Sequence, residues 1–369
     1  MILNSNPGED KCIPPGAQLR QGGSRDPRLC PGAQRTPRAK HGFFGATNGL
    51  VSAGAARGVQ SLGMRSIVTL VFLAPIWTPL IQADPQRRPV VPQSEILAPG
   101  KDWELLGQGY QLTADTAVDR EGLVYFTDAR NDRILKIDFQ GKITIWKENS
   151  GGAHGIAYGP DGRLYAGQHD RKRIVALTPD GKESIVAEGV QTHHLAVTER
   201  NEVYFADAPN HKIWLVDVAG NKRAVSGDLN WPHGIRASPD QSLVAVTDPH
   251  TSWVWTFRIQ RDGSLDKGRP FYRLQTPDGS SETDAGGMTF DTAGFLYVAT
   301  TVGVQVYDPA GRAAAILNPP GRDGVSDVFF GGPDMQWLFV TDGDRVYRRL
   351  STRRGAAAST SAKPVGPRL

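Results

Sequence analysis

The chain has 369 residues, including 42 glycines and 26 prolines, and carries a formal net charge of +4 at pH 7. No basic stripe with interleaved aromatic residues runs through the middle of the sequence, which argues against a nucleic-acid partner. Both cysteines, Cys12 and Cys30, lie near the start, so the rest of the chain has neither a disulfide nor a thiol nucleophile.

The N-terminal part predicts export. Residues 1–63 are rich in Gly, Pro, Arg and Ser and are expected to be disordered or not translated. Residues 64–83 have the layout of a secretory signal peptide that starts at Met64, with an apolar run from Ile67 to Ile81 and cleavage near Ala83. Two prolines interrupt this run, and it is shorter than the roughly 18 residues of a membrane span. We therefore expect a periplasmic or extracellular protein with no stable membrane span after cleavage.

A unit of two short strands and a turn returns six times, about every 40 residues. The copies are ADTAVDREGLVYFTD from Ala114, AHGIAYGPDGRLYAGQ from Ala153, THHLAVTERNEVYFAD from Thr192, PHGIRASPDQSLVAVTD from Pro232, AGGMTFDTAGFLYVAT from Ala285 and SDVFFGGPDMQWLFVTD from Ser326. Each of the first five is followed by two more alternating segments. All-strand repeats of this period predict an all-β, six-bladed β-propeller.

The sixth unit has only about three strands before the chain turns basic at Arg348. A short strand near Trp103 is expected to complete that blade, because closure by an N-terminal strand removes the open edge of the ring. The predicted boundaries are a Pro-rich linker over 84–101, the propeller over 102–350 and a flexible tail over 351–369.

The first strand of every blade lines the central channel, so residues at one register converge near the axis. Counting back from each turn glycine, or its equivalent, gives one position per blade: Ala114, His154, His193, His233, Gly286 and Asp327. Asp115 and His194 follow directly on two of these positions. Converging imidazoles suit metal binding or acid–base catalysis. The alternative is that the rings fill a polar channel and only hydrogen-bond there.

The segments HGIAYGPDGRLYAG, PHGIRASPDQSLVAVTD, GGMTFDTAGFLYVAT and FGGPDMQWLFVT resemble the SMP-30/gluconolactonase/LRE-like family from about Trp103 to Leu350. The resemblance implies a six-bladed propeller. It also implies a lactonase that opens sugar lactones with one divalent metal, usually calcium, in the channel.

The chain departs from that family at the expected metal ligands. The family's Glu-Gly-Pro of blade 1 is Ala114-Asp115-Thr116 here, its Asn-Asp pair of blade 3 is His193-His194, and the Asn of its Pro-Asn-Gly is His233. The Asp of its Asp-Gly-Met becomes Gly286. Calcium prefers oxygen ligands, whereas imidazole suits zinc and other transition metals. We therefore expect a divalent transition metal, such as zinc, rather than calcium.

These observations predict an exported hydrolase that acts on a small-molecule lactone or related ester. His154, His193 and His233 are the expected metal ligands, and His194 or Asp115 is expected to take a proton from bound water. His193 and His194 could exchange these roles. His154, Asp327 and Trp231 are expected to face the substrate, although Trp231 could instead pack in the core. Two alternatives remain: a lyase with a channel His as base, and a non-catalytic propeller that binds carbohydrate or protein. The sequence leaves the oligomeric state open.

Overall fold

The computed structural model describes residues 91–227 and 229–356, and these form a six-bladed β-propeller of four-stranded antiparallel sheets. The predicted fold is therefore confirmed. Residues 1–63, the signal peptide at 64–83, the start of the linker and residues 357–369 of the tail lie outside the described residues. No helix in the described part is long and apolar enough to cross a membrane.

The strands in chain order are β1 (Glu104–Gln108), β2 (Thr113–Val118), β3 (Val124–Asp128), β4 (Arg133–Ile137), β5 (Ile143–Glu148), β6 (Ala153–Tyr158), β7 (Leu164–Gln168), β8 (Arg173–Leu177), β9 (Glu183–Glu188), β10 (Leu195–Val197), β11 (Val203–Asp207), β12 (Lys212–Val216), β13 (Lys222–Ser226), β14 (Ile235–Ala237), β15 (Leu243–Asp248), β16 (Trp253–Arg258), β17 (Arg269–Arg273), β18 (Met288–Phe290), β19 (Leu296–Thr300), β20 (Gly303–Tyr307), β21 (Ala313–Leu317), β22 (Val325–Gly331), β23 (Trp337–Asp342) and β24 (Arg345–Leu350). Short 3₁₀ helices span Gln93–Glu95, Ala129–Asn131 and Ala208–Asn210.

Blades 1 to 5 each consist of four consecutive strands, starting at β2, β6, β10, β14 and β18. The first strand of each blade contacts the first strand of the next, and β22 of blade 6 contacts β2 of blade 1, so these six strands line the channel. Blade 6 contains β22, β23 and β24, with β1 as its outer strand. The predicted closure by the strand near Trp103 is thus confirmed.

The closing strand is also held by side chains. Arg348 of β24 forms an ion pair with Glu104 of β1 at 2.8 Å between Nε and Oε2. The same guanidinium lies 4.5 Å from the centre of the Trp337 ring. The β1–β24 pair therefore joins the start of the propeller to its end through backbone and side-chain contacts.

The structured part extends beyond the predicted boundaries at both ends. Ile96 and Leu97, placed in the predicted linker, are 0% and 2% exposed and pack into the core of blades 5 and 6. Ser351, placed in the predicted tail, donates its hydroxyl to the Ile96 carbonyl at 2.6 Å. Burial of the apolar side chains of Ile96 and Leu97 stabilises the fold, whereas a solvated linker would leave them exposed to water.

Tyrosines in the second strands of four blades pack between neighbouring blades. Tyr125, Tyr165, Tyr204 and Tyr297 are at most 4% exposed. Tyr204, for example, shares a core cluster with Ile235 of the next inner strand. This packing fixes the spacing between blades and hence the width of the channel.

Aspartates at the ends of second strands fix the loops at one end of the channel. Asp128 Oδ1 accepts the backbone N–H of Gln111 at 2.9 Å, and Asp248 Oδ2 accepts that of Trp231 at 3.1 Å. Asp342 binds the N–H of Gly321 in the same way, at 2.9 Å. Each of these loops leads into an inner strand, so the aspartates position the residues at which the inner strands begin.

Candidate active site

The inner strands are irregular where they begin. The β2–β3, β6–β7 and β22–β23 pairings each shift register near the start of the inner strand. In blades 3, 4 and 5 the regular pairing starts only at Leu195, Ile235 and Met288. Such bulges turn side chains away from strict alternation, and they are common beside active sites. Two successive residues per blade therefore contribute to the channel wall.

The strand pairing fixes two layers of residues around the channel. Thr116, Ile156, Leu195, Ile235, Met288 and Val328 occupy equivalent positions. The residues two positions earlier form a layer near the channel end where the inner strands begin, here called the outer layer: Ala114, His154, His193, His233, Gly286 and Ser326. The residues one position earlier form the next layer along the channel, here called the inner layer: Asp115, Gly155, His194, Gly234, Gly287 and Asp327.

This register corrects the sequence prediction for Asp327. Asp327 lies in the inner layer with Asp115 and His194, and Ser326 takes the place beside the three histidines. The hairpin of blade 6 is one residue longer on each side of its turn than that of blade 2, as the pairs Val328–Val340 and Ile156–Ala166 show. Counting a fixed number of residues back from the turn of blade 6 therefore selects Asp327 instead of Ser326.

His154 and His193 form the centre of the outer layer. Their Nδ1 atoms are 3.2 Å apart and their ring centroids 5.0 Å apart. His169 lies beside both, with ring centroids 5.0 Å from His154 and 5.5 Å from His193. The three imidazoles form a nearly equilateral triangle, and each side chain is partly exposed.

Sequence reasoning did not identify His169. It follows Gln168 at the end of β7, where four of the other blades have an aspartate. The available signal was at His169 itself, because the equivalent positions of the other blades are Ala129, Ala208, Pro249, Thr301 and Gly343, and none of them is titratable.

His233 lies behind this triangle and does not complete it. Its ring is 5.5 Å from His193 and 4.8 Å from His194. Its Nδ1 is buried and has no hydrogen-bond partner among the residues that the structure describes. Ring contacts thus join His169, rather than His233, to both His154 and His193, and the metal trio of His154, His193 and His233 stays a prediction.

The histidines of the outer layer are uncharged at neutral pH. Burial and the neighbouring imidazoles lower the pKa of His154 to about 3. The same two effects lower the pKa of His193 to about 4 and that of His233 well below its usual range. A neutral imidazole has one lone-pair nitrogen, and the hydrogen bond between the Nδ1 atoms of His154 and His193 uses the lone pair of one of the two rings. Both lone pairs can bind a metal once the rings turn out of this hydrogen bond.

The inner layer contains a buried ion pair between blades 1 and 3. Asp115 Oδ1 and His194 Nδ1 are 3.4 Å apart, and the side chains are 5% and 6% exposed. Burial lowers the pKa of His194, but the charge and hydrogen bond of Asp115 outweigh burial, so the pKa is raised. Asp115 also accepts the N–H groups of Thr116 at 2.8 Å and Ile156 at 2.9 Å. Among the histidines with a shifted pKa, His194 is therefore the one whose protonated form the site favours.

Asp327 is fully buried and does not reach the channel mouth, so the predicted substrate contact is not supported. It accepts the Val328 N–H at 2.8 Å and the Thr116 hydroxyl. Burial, together with the nearby charge of Asp115, raises the pKa of Asp327 to about 8. A side chain at Gly287 would collide with the Asp327 carboxyl group, which explains the glycine there.

Trp231 belongs to a second group of rings. It is partly exposed and lies between His211 and His250, with ring centroids 6.4 Å and 5.6 Å away. His250 pairs with Glu282 at 3.2 Å between Nδ1 and Oε1. Because Trp231 precedes Pro232-His233, it lies at the end of the channel where the inner strands begin, and its role in facing the substrate stays a prediction.

The donor atoms do not suit calcium, because Asp115 and Asp327 are committed to hydrogen bonds and the remaining candidates are imidazoles. They do suit a transition metal. Two nitrogens bound to one tetrahedral zinc lie about 3.3 Å apart, and their ring centres about 5 Å apart. The His154–His193 distances of 3.2 Å and 5.0 Å match these values. Within 91–227 and 229–356, no three His, Cys, Asp or Glu side chains already point at one centre. Metal binding therefore requires the rings to turn about their Cβ–Cγ bonds.

Comparison with known proteins agrees with the fold and the repeat. Residues 216–343 match the family model of the SMP-30/gluconolactonase/LRE-like region. This match supports the resemblance to that family seen in the sequence. The chain is 22% identical to a gluconolactonase of Zymomonas mobilis over 224 residues, which cover 53% of the chain and 62% of that enzyme. The match thus spans less than two thirds of the Zymomonas protein.

A second relative is the pentonolactonase XacC of Haloferax volcanii, which is 24% identical over 237 residues, or 61% of this chain and 80% of that one. A solved structure of a putative gluconolactonase superposes with a TM-score of 0.64 at 19% identity, covering 73% of this chain and 98% of that one. At this identity the structural likeness establishes the propeller fold alone.

Proposed function

We propose that this protein is a lactone hydrolase and that the reaction takes place at His154 and His193. The observation that carries this proposal is the 3.2 Å distance between their Nδ1 atoms, with the Asp115–His194 pair one residue deeper in the channel. The sequence relatives are a gluconolactonase and a pentonolactonase, which supports a sugar lactone as the small-molecule substrate.

His154, His193 and His169 would hold a divalent transition metal, which would polarise the lactone carbonyl and acidify a bound water when present. Both rings are neutral, so turning them out of their mutual hydrogen bond would free their lone pairs for the metal. Without a metal, the same lone pairs would be weak bases at neutral pH, because the pKa values of His154 and His193 are about 3 and about 4.

His194 and Asp115 have different roles in this proposal. In its protonated form, His194 stabilises the negative charge that develops on the carbonyl oxygen, rather than acting as the base. Asp115 favours that form and holds His194 in place through the 3.4 Å contact. Asp327 lies in the same layer and supplies an uncharged carboxyl group at neutral pH.

The test combines metal analysis with a pH-stat assay on glucono- and pentonolactones. We expect about one transition-metal ion per chain and lactone opening in the native protein. Both should be lost in a His154→Ala/His193→Ala variant and kept in a His250→Ala control, since His250 belongs to the Trp231 group. A folded native protein that opens none of these lactones would overturn the proposal. An unsaturated product would identify the lyase, and glycan or protein binding without turnover the non-catalytic propeller.

Export from Met64 also remains a proposal, supported by the signal-peptide pattern in residues 64–83. Mass spectrometry of the mature N-terminus should find a chain that begins near Asp84. A mature chain that retains residues 64–83 would contradict export by cleavage.

A further inference from the structure

The channel has a second group of functional candidates at the end opposite the histidines. Two residues beyond the inner layer, the six inner strands again place one side chain each towards the channel. These residues are Ala117, Ala157, Ala196, Arg236, Thr289 and Phe329, and all six line one cavity. Three blades thus have alanine at the position where blade 4 has arginine.

Among the residues that the structure describes, Arg236 is the only charged one that lines this cavity. Its Nε donates to the Met288 carbonyl at 2.8 Å. Among residues 91–227 and 229–356, that is its only side-chain hydrogen bond to protein, and no carboxylate lies within ion-pair distance of it. An arginine has five N–H donors, so four of them remain for another acceptor.

The surroundings favour a small ligand. Thr289 and Ser238 contribute polar atoms, whereas Phe290 and Phe329 form an apolar wall. The cavity volume is ≈ 60 Å³. Since one water needs roughly 15 Å³ by this measure, the space holds about four waters, or one group the size of a phosphate.

We propose that this cavity is a binding site for a small oxyanion, with Arg236 as its main ligand. The planar fork of a guanidinium matches two oxygens of a phosphate or a carboxylate group and binds both at once. The alanines of blades 1, 2 and 3 leave the space that the anion occupies. This site is separate from the His154–His193 pair and does not depend on the proposed hydrolase activity.

Calorimetric titration of the full chain with inorganic phosphate tests the proposal, with acetate as a second arm that distinguishes a carboxylate preference. We expect one saturable site, a loss of at least tenfold in affinity in Arg236→Gln, and partial retention in Arg236→Lys. The control Arg258→Gln should bind as the native protein does, because Arg258 is exposed on β16. Ala157→Val should also weaken binding, since it fills the cavity and leaves the charge in place.

Two results would overturn the site. One is the absence of saturable binding of either anion to the native protein. The other is equal affinity in native, Arg236→Gln and Ala157→Val proteins. Arg236 could instead balance the buried carboxyl groups of Asp115 and Asp327. In that case Arg236→Gln would lower the unfolding temperature, and neither anion would change the unfolding temperature of the native protein.

Discussion

Asp115 on blade 1 and His194 on blade 3 meet at 3.4 Å across the inner strand of blade 2. Gly155 of that strand makes the approach possible, because a Cβ atom there would lie 2.9 Å from the Cα of His194. The pair therefore joins two blades that are not neighbours in the ring, and it places a histidine with a raised pKa next to histidines whose pKa values are lowered.

Removing the charge of Asp115 should destabilise the fold. In Asp115→Asn the buried His194 loses its counter-charge, and breaking a buried pair costs about 3 kcal/mol. Urea unfolding at pH 7 should show this loss. An Asp115→Asn/His194→Gln double variant should recover part of it, because no isolated buried charge remains. Equal stability of native and Asp115→Asn proteins would contradict a buried ion pair.

Asp327 should make stability fall as pH rises. Its pKa of about 8 lies above the ordinary value of 3.8, so the folded chain holds a proton that the unfolded chain releases. This contribution is complete below about pH 4 and is lost as pH rises towards 8. Urea midpoints between pH 4.5 and 8.5 should therefore fall more steeply for the native protein than for Asp327→Asn. Parallel curves for the two proteins would show that Asp327 is not held in its acid form.

Metal affinity should depend on His169 more than on His233. His169 lies 5.0 Å from His154, whereas His233 contacts His193 and His194 instead. We expect His169→Ala to lower cobalt affinity at least tenfold and His233→Ala to change it little, measured by cobalt absorption spectra under chelator competition. The reverse order would restore the trio predicted from sequence.

Ile96 should behave as a core residue. Ile96 is 0% exposed, so Ile96→Ala should lower the free energy of unfolding by roughly 3 kcal/mol through lost burial and the cavity left behind. Leu105→Ala is the matched control, since Leu105 is 45% exposed on β1 and should cost far less. Chemical unfolding of both variants measures the difference. Equal losses of unfolding free energy in the two variants would show that residues 91–101 behave as a linker.

The sequence by itself determined the architecture, because the interactions that build a blade are local. Each strand pairs with its neighbour in the chain across a short turn, so repeated turn signals and alternating segments predict the blades. The missing fourth strand of blade 6 likewise predicted that the segment near Trp103 closes the ring. The histidines at His154, His193 and His233 could be placed on inner strands for the same reason.

Only the tertiary structure decided which of those side chains meet. His169 joins His154 and His193 from the end of a second strand, and a count along the inner strands does not include that position. Asp327 lies in the inner layer and not in the predicted outer layer, because the blade 6 hairpin is longer. The bulges that place both layers in the channel wall, and the alanines that leave space beside Arg236, act between blades. Sequence periodicity specifies each blade, whereas the distances between side chains of different blades depend on how the blades pack around the axis.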